Sequence, residues 1–102
     1  MTYDTAFTAL ADPTRRRAFE LLAANPSSVG ALSAKLPVSR PAVSQHLKVL
    51  SDAGLVTVRS EGTRRIYSAS TDRLSDLRDW LDRMWGSALA AYAEAAEREA
   101  RK

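Results

Sequence analysis

A mainly α-helical domain carrying one small β-hairpin is what the 102-residue sequence predicts, on three observations. Apolar residues recur at helical spacing through the first half of the chain, in segments cut by Asp12-Pro13, Asn25-Pro26, Pro37 and Gly54. The period then changes at residues 55–68, where two β-rich runs flank a glycine. From Asp72 the helical spacing returns and continues almost to the last residue.

Taken in order, residues 3–11 read as a short amphipathic helix with Phe7 and Leu10 on one face. Asp12 then stands as an N-cap before a first-turn proline and opens a helix through Arg17, Leu21 and Leu22, which Asn25-Pro26 ends. Ser27 or Ser28 can cap a short helix from Val29 to about Leu36, closed by Pro37. Ser39 caps the next helix, residues 39–53, which tolerates Pro41 in its first turn and stops at Gly54. The runs LVTVR at 55–59 and RRIYS at 64–68, joined by SEGT at 60–63, predict a hairpin. The final helix spans residues 72–101, about 45 Å at 1.5 Å per residue.

Two helices and a tight turn followed at once by a basic hairpin make a winged helix-turn-helix. Residues 1–102 are therefore expected to form a single domain, with the helix-turn-helix at 28–53 and the wing at 55–69. No repeat, linker or second domain is visible. The chain is long enough for one core and too short for two. It lacks cysteine, which excludes disulfides, thiolate catalysis and cysteine-ligated metals. No apolar run approaches the roughly 18 residues of a membrane span, and the N-terminus does not read as a signal peptide. A cytoplasmic protein without a membrane partner is the expectation.

Net charge is +3. The basic excess falls between Lys35 and Ala69, where six basic residues face two acidic ones. Residues 71–102 hold six bases against seven acids. A basic excess confined to one segment predicts a polyanionic partner there, and a neutral tail predicts protein contacts.

The helix at 39–53 has two unlike faces. Val43, Leu47 and Leu50, with Ala53 nearby, share one side and can pack on the preceding helices. Arg40, Ser44, Gln45, Lys48 and Ser51 lie opposite. Arg pairs bidentately with guanine, Gln with adenine, while Ser and Lys suit phosphates or base edges. The first three turns carry no acid, and the Glu/Lys i,i+4 pairs of an ordinary solvated helix face are read as missing. Double-stranded DNA is the partner this face predicts. His46, the single histidine, lies towards the apolar side and is expected to pack there and hydrogen-bond neighbouring backbone.

At the hairpin, Arg59, Arg64 and Arg65 crowd the tip around Gly62, suited to flanking phosphates or the minor groove. Strand alternation places Arg64 and Arg65 on opposite faces. A charged edge that blocks strand pairing is the competing reading for each of them. Arg15, Arg16 and Arg17 open a helix whose N-terminus prefers acids, which leaves open either plain hydration or a nearby phosphate.

On the last helix, Leu77, Leu81, Met84, Trp85, Ala88, Leu89 and Tyr92 fall in one apolar arc. Asp79–Arg83, Glu94–Arg98 and Glu97–Arg101 are favourable i,i+4 pairs on its outer side. The stripe is longer than the head can cover, so a second copy of the same helix is the simplest partner. A two-fold dimer joined through residues 3–11, with Phe7 and Leu10, and residues 72–101 would present two reading helices about one DNA turn apart, on a pseudo-palindromic site. Trp80, at the edge of the stripe, is either interface or the lining of a small-molecule pocket. Asp72, Asp76 and Asp79 form a carboxylate face without a histidine, so no metal site and no cofactor are expected.

The runs ALADPTRRRAFELL at 9–22 and SRPAVSQHLKVLSDAGLVTVRSEGTRRIYSAS at 39–70 resemble the ArsR/SmtB family of bacterial winged-helix repressors. The resemblance covers most of the chain, and ALADPTRR together with SQHLKVLSDAGLV is specific to that family. It implies a dimer joined through the first and last helices, repression of promoters, and a small-molecule inducer that releases DNA. Carried over by position, Ser39, Arg40, Pro41, Ser44, Gln45 and Lys48 would belong to the recognition helix, and Arg59, Thr63, Arg64 and Arg65 to the wing. The family's metal sensors carry a Cys-x-Cys-type motif on the helix before recognition, or His/Asp ligands on the last helix. Here the first position reads SVGALS at 28–33, and the last helix has no histidine. The resemblance is therefore to a branch that does not respond to metal.

An enzyme is not expected. The one imidazole sits mid-helix beside apolar residues, and neither a glycine-rich phosphate loop nor GxSxG occurs. Transcriptional activation, or a protein-interaction role of the long helix as in an antitoxin or adaptor, stands as the alternative to repression.

Overall fold

The computed structural model describes residues 3–101, so the ends of the expected domain at 1 and 102 lie outside the described residues. Its elements are α1 (Tyr3–Ala11), α2 (Pro13–Ala24), α3 (Val29–Ser33), α4 (Arg40–Asp52), β1 (Val56–Glu61), β2 (Arg64–Ala69) and α5 (Thr71–Ala100). No helix among the described residues is long and apolar enough to cross a membrane.

Helices α2, α3 and α4 each begin on a side-chain cap. Asp12 Oδ1 accepts the Arg15 N–H at 2.9 Å, Ser28 Oγ that of Ala31 at 3.2 Å, and Ser39 Oγ that of Ala42 at 3.3 Å. The Arg15 N–H holds the Asp12 carboxyl below its usual range; burial opposes this, and the charge of Arg15 assists it. A lowered carboxylate stabilises the fold above the unfolded value near 4 and stops doing so as pH falls through the native value. Asp12→Ala is thus expected to lower the thermal midpoint by a few degrees at pH 7. That difference should close in melts recorded at progressively lower pH.

Helix α3 ends at Ser33, not near Leu36 as the apolar spacing predicts. Leu32 and Leu36 are both buried, but Leu36 reaches the core from a turn, its N–H donating to Ser33 O at 3.3 Å. A residue before proline is biased away from the helical region, so the i,i+4 spacing survives without the helix.

The core joins Phe19 and Leu22 of α2, Leu32 of α3, Val43, Leu47 and Leu50 of α4, and Leu55 and Val56 at the entrance to the hairpin. The stripe predicted on the reading helix is the one buried. At its C-terminal end the Leu55 N–H donates to Leu50 O and the Gly54 N–H to Ser51 O, both at 2.9 Å. This is a Schellman closure, with Leu50 and Leu55 both fully buried as its apolar clasp. Gly54 sits at φ +77°, and a Cβ there would lie 2.8 Å from Arg73 Nε. Gly54→Ala is expected to cost about 1–2 kcal/mol for the left-handed backbone alone, and more for displacing Arg73. Urea midpoints of Gly54→Ala with and without Arg73→Ala separate the two parts.

The strands pair antiparallel from Val56↔Ala69 to Glu61↔Arg64, so the connection is Gly62-Thr63 alone. Gly62 at φ +65° supplies the positive dihedral of a Gly-first hairpin turn. Ser60 and Glu61, read from sequence as loop, are strand residues because two turn positions suffice. A further pairing was not legible in the sequence: Ser27 and Tyr67 exchange backbone hydrogen bonds of 3.0 and 2.9 Å. It ties the hairpin to the start of the helix-turn-helix.

The first turns of α5 lie on this head, where Leu77 is buried and Leu74 half-buried. Trp80 packs against Phe7 of α1, edge to face with centroids 5.1 Å apart, and against Tyr3 at 6.1 Å. Every side chain in residues 81–100 is exposed. The projecting helix gives a radius of gyration of 18.5 Å, against about 13 Å for a compact chain of this length.

Candidate nucleic-acid interface

Burial of Val43, Leu47 and Leu50 turns the other face of α4 outward, and Arg40, Ser44, Gln45 and Lys48 are all exposed on it. Ser39 holds the helix start through its hydroxyl, and Pro41 fits the first turn. Arg40 curls over Gly30 of α3; a Cβ at Gly30 would sit 3.4 Å from its guanidinium. Across from it stand the wing residues. Arg64 donates to Ser28 Oγ at 3.5 Å, and Arg40, Thr63, Arg64 and Arg65 line one cleft of about 300 Å³ with Ser28 and Val29. That lining holds three guanidinium groups and no acid.

A second cleft, of about 430 Å³, lies alongside. Ser44, Lys48 and Ser51 of α4 form one wall, and Val58, Arg65 and Tyr67 of the hairpin the other. Arg65 lines both clefts, its guanidinium 5.9 Å from the Tyr67 ring centroid. Arg64 and Arg65 do occupy alternate strand positions, opposite Glu61 and Ser60. Even so, both line the first cleft.

Two expected features differ. The reading face does carry an i,i+4 ion pair: Lys48 Nζ lies 3.2 Å from Asp52 Oδ2. Arg59 stands apart from both clefts, paired with Glu61 at 3.2 Å.

The arginine run at 15–17 has partners within the chain. Arg15 Nη1 donates to Ala9 O at 3.2 Å and Arg16 Nη1 to Leu10 O at 3.1 Å, satisfying carbonyls at the end of α1. Arg17 pairs with Glu20 at 3.6 Å. A helix C-terminus favours cations, so the charges unsuited to the start of α2 serve the end of α1. His46 is half-buried as expected, but its Nδ1 accepts from the Arg15 side chain at 3.4 Å rather than engaging backbone.

A helix-turn-helix domain family matches residues 10–59. The HTH-type transcriptional regulator Rv2034 of Mycobacterium tuberculosis is 54% identical over 96 residues, covering 94% of this chain and 90% of that protein. The transcriptional repressor SdpR of Bacillus subtilis is 31% identical over 78 residues, or 76% and 87% of the two chains. Among solved structures, an ArsR-like transcriptional regulator from Rhodococcus sp. RHA1 superposes with a TM-score of 0.76 at 33% identity, over 91% of each chain. This chain belongs to the ArsR family of winged helix-turn-helix regulators. The ArsR-family protein is accordingly a DNA-binding regulator of transcription, and its hairpin is the wing.

Of the residues expected at a dimer contact, the regulator exposes Phe7, Leu81, Met84, Trp85, Leu89 and Tyr92, with Ala88 among them. Leu10 is half-buried against the protomer's own core. Leu77 is a correction: it is buried within the protomer, because the first turns of α5 rest on the head. Trp80 is part of the α1–α5 contact. Arg83 turns from Asp79 to donate to the Tyr3 hydroxyl at 2.9 Å, and Arg101 donates to the Glu97 carbonyl at 3.3 Å. Among the described residues no three His, Cys, Asp or Glu side chains converge as metal ligands.

Proposed function

We propose that two copies of this regulator pair through α1 and α5, set their α4 helices in successive major grooves, and repress transcription from a pseudo-palindromic promoter site in the cytoplasm. One observation carries the DNA contact: the acid-free cleft in which Arg40 of the reading helix faces Arg64 and Arg65 of the wing. Three cations on two elements favour a phosphate or a guanine edge between them. Ser44, Gln45 and Lys48 continue the contact along α4. Ser39 and Pro41 fix how the helix enters, and Arg59 and Thr63 extend the contact at the wing.

Pairing is supported by residues 81–100. This part of α5 exposes Leu81, Met84, Trp85, Leu89 and Tyr92, an apolar stripe of the kind that marks an interaction surface. A second copy covers the stripe. SdpR, named a repressor, favours repression. The stretch before α4 reads SVGALS at 28–33, without the thiolates of a Cys-x-Cys metal site, which favours a regulator that does not respond to metal through that position.

Titration onto labelled DNA from the gene's own upstream region, against scrambled DNA, tests the reading. Sub-micromolar selective binding that weakens steeply with salt is expected. Equal weak binding to both DNAs would overturn it.

A further inference from the structure

Residues 35–69 contain two acids among six bases, and each acid is engaged by a base of the proposed DNA face. Asp52 Oδ2 holds Lys48 Nζ at 3.2 Å; Glu61 Oε2 holds Arg59 Nη2 at 3.2 Å and its Nε at 3.4 Å. All four side chains are 62–68% exposed, on the surface that would meet a polyanion. Arg40, Arg64 and Arg65 lie instead in the acid-free cleft. The positive surface thus has a free centre and self-paired flanks.

We propose that Asp52 and Glu61 are specificity-determining residues, internal counterions that withhold Lys48 and Arg59 from random-sequence DNA. The inference rests on the DNA contact proposed above. Binding to random DNA comes almost wholly from phosphate neutralisation and counterion release. A cation that carries its own carboxylate adds no net charge to that process. Its carboxylate must also approach the phosphates if the pair holds. Contacts on random DNA are transient and screened, and they do not displace the pair.

On a cognate site, base-edge contacts fix α4 and the wing in one position. An ordered, charge-assisted phosphate contact then outcompetes an exposed ion pair, which is intrinsically weak. The two acids therefore burden the wrong complexes more than the right one. Removing an acid frees a cation for any DNA, while the cognate complex, which already uses that cation, gains little. Discrimination falls as affinity for random DNA rises.

The test uses Asp52→Asn, Glu61→Gln and the double variant of the full chain, with Glu94→Gln on α5 as a control for net charge. Folding of each is checked by thermal melting. The DNAs are the tightest sequence recovered from a random pool by the wild-type protein and a scrambled version of it, titrated from low to moderate salt. For each acid removed, affinity for scrambled DNA at about 0.1 M salt is expected to rise roughly tenfold, and the salt slope to steepen by about 0.9 per bound protomer. Affinity for the selected site should rise no more than a few-fold, and Glu94→Gln should change neither. Equal gains on both DNAs, no gain on scrambled DNA, or the same gain from Glu94→Gln would each overturn the proposal. Retention of selective binding by Arg40→Glu would instead overturn the interface on which it rests.

Discussion

Trp85→Glu combined with Leu89→Glu is expected to make the regulator monomeric at micromolar concentration and to weaken binding to its DNA site by about 10²–10⁴-fold. Both side chains stand off the head, 67% and 50% exposed, so neither contributes much to the fold of a single chain. Glutamate is a good helix former, and α5 keeps its backbone propensity. In a two-fold pairing each substitution occurs twice, and the carboxylates would be buried without partners. The affinity lost is then the advantage of holding two reading helices on one protein. Sedimentation equilibrium reads the association state, and a thermal melt confirms the head. A double variant that remains dimeric would mean that this stripe is not where two copies meet. A monomer that binds as tightly as the wild type would mean that pairing is not needed for DNA contact.

Arg40→Glu is expected to cost nearly as much by a different route, roughly 10²–10⁴-fold in site affinity with the dimer intact. A bidentate base contact is worth about 1–3 kcal/mol, and two protomers would lose it together. The new carboxylate would also face Arg64 and Arg65 across the cleft, neutralising the site from within. Fold stability should change little, because Arg40 is exposed and its guanidinium only rests against Gly30. Parallel titrations with the selected and scrambled DNA, together with a melt, check this. A variant that folds, pairs and still discriminates would place the reading contacts elsewhere.

Much of this architecture was legible because it obeys local rules. Asp12, Ser28 and Ser39 announce their helices, Gly54 and Gly62 occupy the backbone angles that other residues avoid, and the 3.6-residue period sorts α4 into a buried and an exposed polar face. The cleft itself was only half legible. Arg40, Arg64 and Arg65 stood out in the sequence, but strand alternation set Arg64 and Arg65 on opposite faces, and Arg59, grouped with them, pairs with Glu61 outside the cleft.

What escaped the sequence depends on partners distant along the chain, or on a less favourable order of charges. Arg15 and Arg16 look misplaced until the end of α1 is seen six residues away in sequence and adjacent in space. Leu77 has the spacing of an interface residue, and only the docking of α5 shows that it belongs to the core. The Lys48–Asp52 pair has helical spacing, but with the base preceding the acid, the weaker arrangement on a helix.

The corner at Gly54 has a mechanical consequence. There the side chain of Arg73, near the start of α5, lies over Gly54 so closely that a single added carbon would meet it at 2.8 Å. One residue on, the Ser70 N–H is fastened to Leu55 O at 2.8 Å. The start of α5 is thereby tied to the chain segment that leaves α4. A change in the course of α5 is expected to be felt first at Gly54 and Leu55, where the chain leaves α4.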